Sequence, residues 1–368
     1  MLRASGAHCG RDARGPSTAL DAGDRSLICV VLNLMKRIAV IGAGSWGTAL
    51  GVVAARAGHE VHLWSHNPAV VETINSEHIN PRYLTELRIP DNVRATDNIV
   101  DAVGAADMII LAAPSHATRE LLAAMTRGLR PEMIVVSATK GIEIDTGKRI
   151  SQVVAEVVPQ ALRLRFVSLS GPSFAKEVVA NHPTAVVSAS DDRDASRTVQ
   201  SELSFDNFRI YTNDDVIGTE LGGSVKNVMA IAAGMVAGLG YGSNSIAALI
   251  TRGLAEMTRL ALREGAKLET LMGLAGLGDL VLTCTGSLSR NRSVGEELGK
   301  GRRLDEITAG MNEVAEGVKT TLAVKRLSER LGVDMPITNE VHAVLYEGKL
   351  ASHAANELMT RPLRGESN

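Results

Sequence analysis

The chain has 368 residues, is 45% hydrophobic and 22% charged, and carries 39 basic against 41 acidic residues with 3% aromatics. That length suits two ordinary domains, and the balanced charge with few aromatics excludes the basic footprint and stacking platform of a nucleic-acid binder. Cys9, Cys29 and Cys284 are too widely spaced for a disulfide framework or a metal knuckle, so a reducing, cytoplasmic setting, no metal and a small-molecule partner are expected.

Residues 1–34 mix Arg, Gly, Ser and Asp without periodicity. They read as a disordered leader or a misassigned start; a mitochondrial targeting peptide is the rival, opposed by the aspartates. No apolar stretch is expected to reach the roughly 18 residues of a spanning helix, so no membrane insertion is expected. "LICVVLNLM" (27–35) follows "LDAGDRS" and lacks a cleavage site, against a secretory signal.

From 35 to about 215, the runs "RIAVIG", "EVHLW", "DMIILAAP", "MIVVSATKG", "FVSLSGP" and "TAVVSAS" alternate with helical patterns. Continuous β-branched runs bounded by Gly, Pro or Ser predict strands buried on both faces, hence a parallel sheet covered by helices. After "FRIYTNDD" the strand signal stops, and helices are predicted at 216–238, 243–265, 290–299, 314–331 and 337–346. The fold class is α/β: a Rossmann-type doubly wound sheet over 35–215, then an all-α domain over 216–360, with the boundary near Asp215.

Gly42, Gly44 and Gly47 of "VIGAGSWGTALG" lie between a strand and a helix, and "EVHLW" completes a βαβ unit. The first glycine permits the turn, the second removes a Cβ from the path of a diphosphate, and the third lets helix and strand pack closely. Ser45 and Trp46 open the helix, whose free N–H groups and dipole attract phosphate. A tight turn with only a structural role is the alternative. Where an NAD-preferring site typically has an acid, the chain has Ser65, His66 and Asn67, so NADP is admissible and His66 suits either the adenosine end or a solvated surface.

Ligands of open α/β sheets lie beyond the carboxyl ends of the strands, which directs attention to "APSH", "TKGIE" and "GPSFAKE". Lys140 follows a strand directly and projects toward the nicotinamide end of a cofactor, unless it is merely solvated. Gly171 and Pro172 shape a loop that approaches a ligand closely.

Between Val216 and Thr251 the charges are Glu220 and Lys226, on different helix faces. Lys226 shares a stripe with Thr219, Gly223, Asn227, Ala230, Ala233 and Gly234, which reads as a narrow substrate floor. A desolvated lysine, its pKa lowered toward neutrality, suits general acid/base work; a lysine that snorkels or pairs with a distant acid is the alternative. Further on, Asp279 and Thr283 precede a helix start at which Ser289, Arg290 and Asn291 are suited either to gripping a phosphate or to capping alone. Cys284 reads as a packed thiol.

"GAGSWGTALG", "SATKGIE", "LSGPSFAKEV", "ELGGSVKNVMAIAAG" and "GLAGLGDLVLTCTGSLSRNR", in this order, closely resemble the bacterial NAD(P)-dependent sn-glycerol-3-phosphate dehydrogenases. The resemblance spans about residues 36 to 350. It implies interconversion of dihydroxyacetone phosphate and sn-glycerol 3-phosphate with NADP or NAD, supply of glycerophospholipid synthesis, and a cytoplasmic homodimer. It makes Lys226 the acid/base at the C2 oxygen, with Lys140 and Asp279 beside it. Asn227, Ser289, Arg290 and Asn291 become substrate contacts, Gly171 and Ser173 line the site, and Ser45, Trp46, His66, Ala175, Arg290, Val314 and Glu316 meet the cofactor. Rivals are a related hydroxyacid dehydrogenase and a catalytically silent dinucleotide sensor.

Overall fold

The computed structural model describes residues 35–309, 311, 315–363 and 365. Strands β1 (Arg37–Ile41), β2 (Glu60–Trp64), β3 (Val93–Thr96), β4 (Met108–Leu111), β5 (Ile134–Ser137), β6 (Arg165–Ser170), β7 (Thr184–Ala189) and β8 (Phe208–Asn213) form one sheet, ordered β3-β2-β1-β4-β5-β6-β7-β8. Helices α1 (Ser45–Arg56), α2 (Pro68–Glu77), α3 (Ile99–Gly104), α4 (Ser115–Met125), α5 (Ile150–Val157), α6 (Ala175–Val179) and α7 (Arg193–Leu203) connect them. The continuous apolar runs have a direct cause in the layers. In β1, Ile38 and Val40 face one apolar cluster while Ala39 and Ile41 face the other, and β4 divides Met108 and Ile110 from Ile109 and Leu111 in the same way.

Two features depart from expectation. The sheet is parallel only as far as β6; β7 runs antiparallel to β6, and β8 follows β7. The short outer strand β3 carries no continuous apolar run, because Arg94 is exposed and only one neighbour pairs with it.

After β8 come α8 (Val216–Gly238), α9 (Ser243–Arg263), α10 (Leu268–Met272), α11 (Asp279–Thr285), α12 (Arg290–Gly299), α13 (Leu304–Ala309), α14 (Glu316–Leu331), α15 (Pro336–Tyr346) and α16 (Ala351–Met359). Asp215 starts α8 by accepting the Gly218 N–H at 2.8 Å on one carboxylate oxygen, while the other takes the Lys267 N–H at 2.8 Å. Contrary to the sequence expectation, α8 is long and apolar enough to cross a membrane, with mean hydropathy 1.2. It is instead the central core helix of this half, with Leu221, Val225, Val228, Met229 and Ile231 in one apolar cluster.

The expected substrate floor on α8 divides in two. Near its start, a Cβ on Gly223 would press the Ser170 hydroxyl. Farther along, Gly234 and Gly238 lie against the backbone of α12 around Gly295 and Gly299, and a Cβ on Gly234 would overlap the Arg292 carbonyl. Gly234 is small because two helices cross closely there, and Ala230 and Ala233 are fully buried in the apolar cluster, which corrects the reading of this part of the stripe as a floor.

Candidate active site

The chain leaves β1 and β4, adjacent parallel strands, toward opposite edges of the sheet. Their carboxyl ends therefore flank the switch-point crevice. Gly42 follows β1 with φ +118°, and a Cβ there would come within 2.9 Å of the Ala112 carbonyl after β4. A Cβ on Gly47 would overlap the Gly42 carbonyl, whereas one on Gly44 meets nothing within 4 Å. Two of the glycines are thus closed against protein, and the middle one faces open space.

Three observations fit a dinucleotide diphosphate at this place. The open side of Gly44 is one. The N-terminus of α1 is another, because its cap residue Gly44 has no side chain to accept the first N–H groups. The third is Trp46, whose buried indole Nε1 has no hydrogen-bond partner.

Beside Trp46 the two halves of the chain meet at one carboxylate. Asp279 is 1% exposed, at the start of α11, directly after the π-helical turn Leu274–Gly278. One of its oxygens accepts from the Lys226 ammonium, and the other from Lys140 Nζ at 2.7 Å. Lys226 also donates to the Thr283 hydroxyl at 2.8 Å, and that hydroxyl donates to the Asp279 carbonyl at 2.6 Å. Lys140 also donates to the Gly171 carbonyl at 3.0 Å, and its Nζ stands 5.9 Å from the centre of the Trp46 ring. An ammonium has three N–H groups, so each lysine keeps one donor beyond these bonds.

Burial pushes the Lys226 ammonium down to about 8, although Asp279 opposes the shift. For Asp279 burial acts upward, but the two ammonium groups outweigh it and hold the carboxyl below its usual range. Burial raises the Cys284 thiol to about 12, in keeping with a packed side chain.

The remaining expected residues cluster in two places. Ser289 caps α12, accepting the Arg292 N–H at 3.2 Å, and Arg290 is the exposed first residue of that helix. Asn291 is buried; its amide donates to the Asn227 side chain at 3.0 Å, and its carbonyl takes the Gly317 N–H at 2.9 Å. Asn227 on α8, Asn291 on α12 and the start of α14 at Glu316 are thereby joined. Ser173 donates to the Gly171 carbonyl at 2.9 Å, and Pro172 lies against Gly278 of the π-helical turn. Ala175 opens α6 and packs on the same apolar cluster as Trp46. His66 is exposed beyond β2, outside the lysine cluster and 6.4 Å from the Trp64 ring. Val314 lies outside the described residues.

Sequence reasoning gave Thr283 no role, though its position four residues after Asp279 placed it on the same helix face. It also left Glu220 without a partner. Glu220 is a buried anchor that accepts from Arg149 at 2.8 Å, from the Ser151 N–H at 2.7 Å and from the Ser151 hydroxyl at 2.6 Å.

Models of the NAD-dependent glycerol-3-phosphate dehydrogenase N-terminus and C-terminus match residues 37–196 and 215–356. The chain belongs to the NAD-dependent glycerol-3-phosphate dehydrogenase family. It is 54% identical over 330 residues to the NAD(P)+ glycerol-3-phosphate dehydrogenase of Koribacter versatilis, covering 89% of this chain and 98% of the relative. Identity to that of Nitratidesulfovibrio vulgaris is 52% over 330 residues, with 90% and 100% covered. The crystal structure of glycerol-3-phosphate dehydrogenase from Coxiella burnetii superposes with a TM-score of 0.85 at 41% identity, covering 89% of this chain and 99% of that one. The chain is an oxidoreductase that uses NAD or NADP.

Proposed function

We propose that Lys226 is the proton donor and acceptor as this enzyme interconverts dihydroxyacetone phosphate and sn-glycerol 3-phosphate. One observation carries the reading: Asp279 holds two ammonium groups in the crevice, and each retains one N–H for a substrate oxygen. When bound, the reduced dinucleotide supplies a hydride to the ketone carbon. Lys226, as ammonium, gives its proton to the oxygen of that carbon; in the reverse direction its neutral amine takes the proton back. A titration near 8 keeps both forms accessible close to neutral pH. Lys140 offers its remaining N–H to the same oxygen, stabilising the negative charge that develops there. Asp279 and Thr283 hold the lysine donors in place before the substrate arrives.

Ser289, Arg290 and Asn291 grip the substrate phosphate at the start of α12, and Asn227, Gly171 and Ser173 line the cavity. Gly42, Gly44, Ser45, Trp46 and Gly47 hold the dinucleotide diphosphate, with His66 toward the adenosine end and Lys140, Ala175, Arg290, Val314 and Glu316 as further cofactor contacts. Residues 35–215 carry the cofactor and 216–360 the substrate. The enzyme acts as a cytoplasmic homodimer and supplies glycerophospholipid synthesis.

The test is the loss of nicotinamide absorbance with dihydroxyacetone phosphate, using NADH and NADPH in turn, against dihydroxyacetone. Rapid turnover of the phosphate alone is expected. Equal rates with both ketones overturn the assignment at α12, and silence with both reduced cofactors overturns the reaction.

A further inference from the structure

We infer that Asn80 is a positioning residue for the dinucleotide diphosphate, acting through the peptide between Ala43 and Gly44. The inference rests on the proposed seat of the cofactor at the glycine turn. Asn80 is 0% exposed in an irregular segment after α2. Its side chain is bonded to full capacity. The amide donates to the Ala43 carbonyl and the Thr48 hydroxyl, each at 2.9 Å, and the carbonyl accepts the N–H groups of Arg82 at 3.2 Å and Tyr83 at 3.1 Å.

The Ala43 carbonyl belongs to the same planar peptide unit as the Gly44 N–H. In a trans peptide these two groups point in opposite directions. By holding the carbonyl inward, Asn80 turns the Gly44 N–H outward, to the side where a Cβ on Gly44 would meet nothing. The Thr48 hydroxyl, 3.4 Å from the same carbonyl, supports that orientation. The glycines make the turn permissive, and a permissive turn has several peptide orientations available. Asn80 selects the one that presents a donor to phosphate, before the phosphate arrives. The oxygen side of the amide meanwhile ties the segment at Arg82 and Tyr83 to the turn.

Asn80→Ala and Asn80→Asp are compared with the parent enzyme for NADPH KM, substrate KM and kcat, and for binding of ADP and of adenosine. Asn80→Asp keeps the shape and the acceptor for Arg82 and Tyr83 but sets an oxygen against the Ala43 carbonyl, and it carries the test if Asn80→Ala does not fold. Both variants are expected to raise the NADPH KM and the ADP dissociation constant about tenfold, the loss of a donor from a buried carbonyl. Adenosine binding, substrate KM and kcat should stay within about twofold, a split that general loosening of the fold would not give. For Asn80→Asp the loss should persist at high salt, where repulsion by a new charge is screened. Unchanged ADP binding, equal losses for adenosine and ADP, or a matching rise in substrate KM each overturns the inference. Gly44→Val separates this from failure of the cofactor seat: at φ −72° any residue is tolerated, so normal NADPH binding by that variant refutes the seat itself. Loss by Gly44→Val with none by the Asn80 variants refutes Asn80 alone.

Discussion

Opposed effects at one amine set the behaviour of Lys226. Burial disfavours its charge and Asp279 favours it, leaving the titration at about 8. As pH rises through that value the ammonium is lost, so ketone reduction should decline there while oxidation of the alcohol gains, in kcat/KM measured for each direction. Asp279→Asn removes the charge that supports the ammonium, so the limb should move to lower pH; a limb that stays put assigns the titration to another group. Lys226→Ala should lower kcat by about 10² to 10⁴ with dinucleotide binding little changed, the usual loss for a general acid/base. Arg290→Ala should act mainly on the KM of the phosphorylated substrate. An unaltered KM places the phosphate elsewhere.

Helix crossings decide how that chemistry is held. A Cβ on Gly295 would overlap the Ile231 carbonyl of α8, and one on Gly299 the Met235 carbonyl. Since α12 also carries Ser289, Arg290 and Asn291, Gly295→Ala should lower the melting temperature, by the roughly 1–3 kcal/mol of overpacking or more. It should raise the substrate KM as well, because Asn291 is drawn away from Asn227. Measuring both on one preparation tests whether the seam positions the site or only stabilises it. A second element-scale device is Glu256 on α9, which caps α15 by accepting the Ile337 N–H at 2.6 Å and the Thr338 N–H at 3.3 Å. Burial lifts its carboxyl from 4.5 to about 7. A carboxyl with a raised pKa binds more protons folded than unfolded, so its contribution is present below 4.5 and is lost as pH rises to about 7. It amounts to about 3 kcal/mol. Unfolding midpoints of Glu256→Gln should therefore vary less across that window than those of the parent.

For the molecule as a whole, the sheet half and the helical half are joined by exposed contacts such as Arg330 to the Thr146 carbonyl and by two largely buried ion pairs. Lys140 meets Asp279 at the site, and Arg149 at the start of α5 meets Glu220 of α8. Removing one partner strands the other charge, whereas removing both does not. Arg149→Met should cost about 3–5 kcal/mol in urea unfolding, and adding Glu220→Met should recover much of that loss. Additive losses would show that the pair does not act as a unit.

The elements that local pattern defines were legible in the chain: strands β1, β2 and β4 to β7, the glycine turn and the long helices. The direction of β7 was not, because a buried run reads alike in either orientation. Lys226 stood out because α8 has so little charge, but its partner lies 53 residues away in a glycine-rich segment. The small residues of α8 looked like one surface because sequence spacing shows a helix face without showing what covers it. Asn80 drew no attention in the chain, since the carbonyl it bonds lies 37 residues earlier.

The sequence by itself determined the family and singled out the glycine turn and the isolated lysine of α8, for these follow from residue types at short spacing. Only the tertiary structure decided that two lysines from opposite halves share one carboxylate, that glycines on two helices form a seam, and which way the peptide of the turn faces. Those outcomes depend on distances between remote segments, which exist only once the chain has folded.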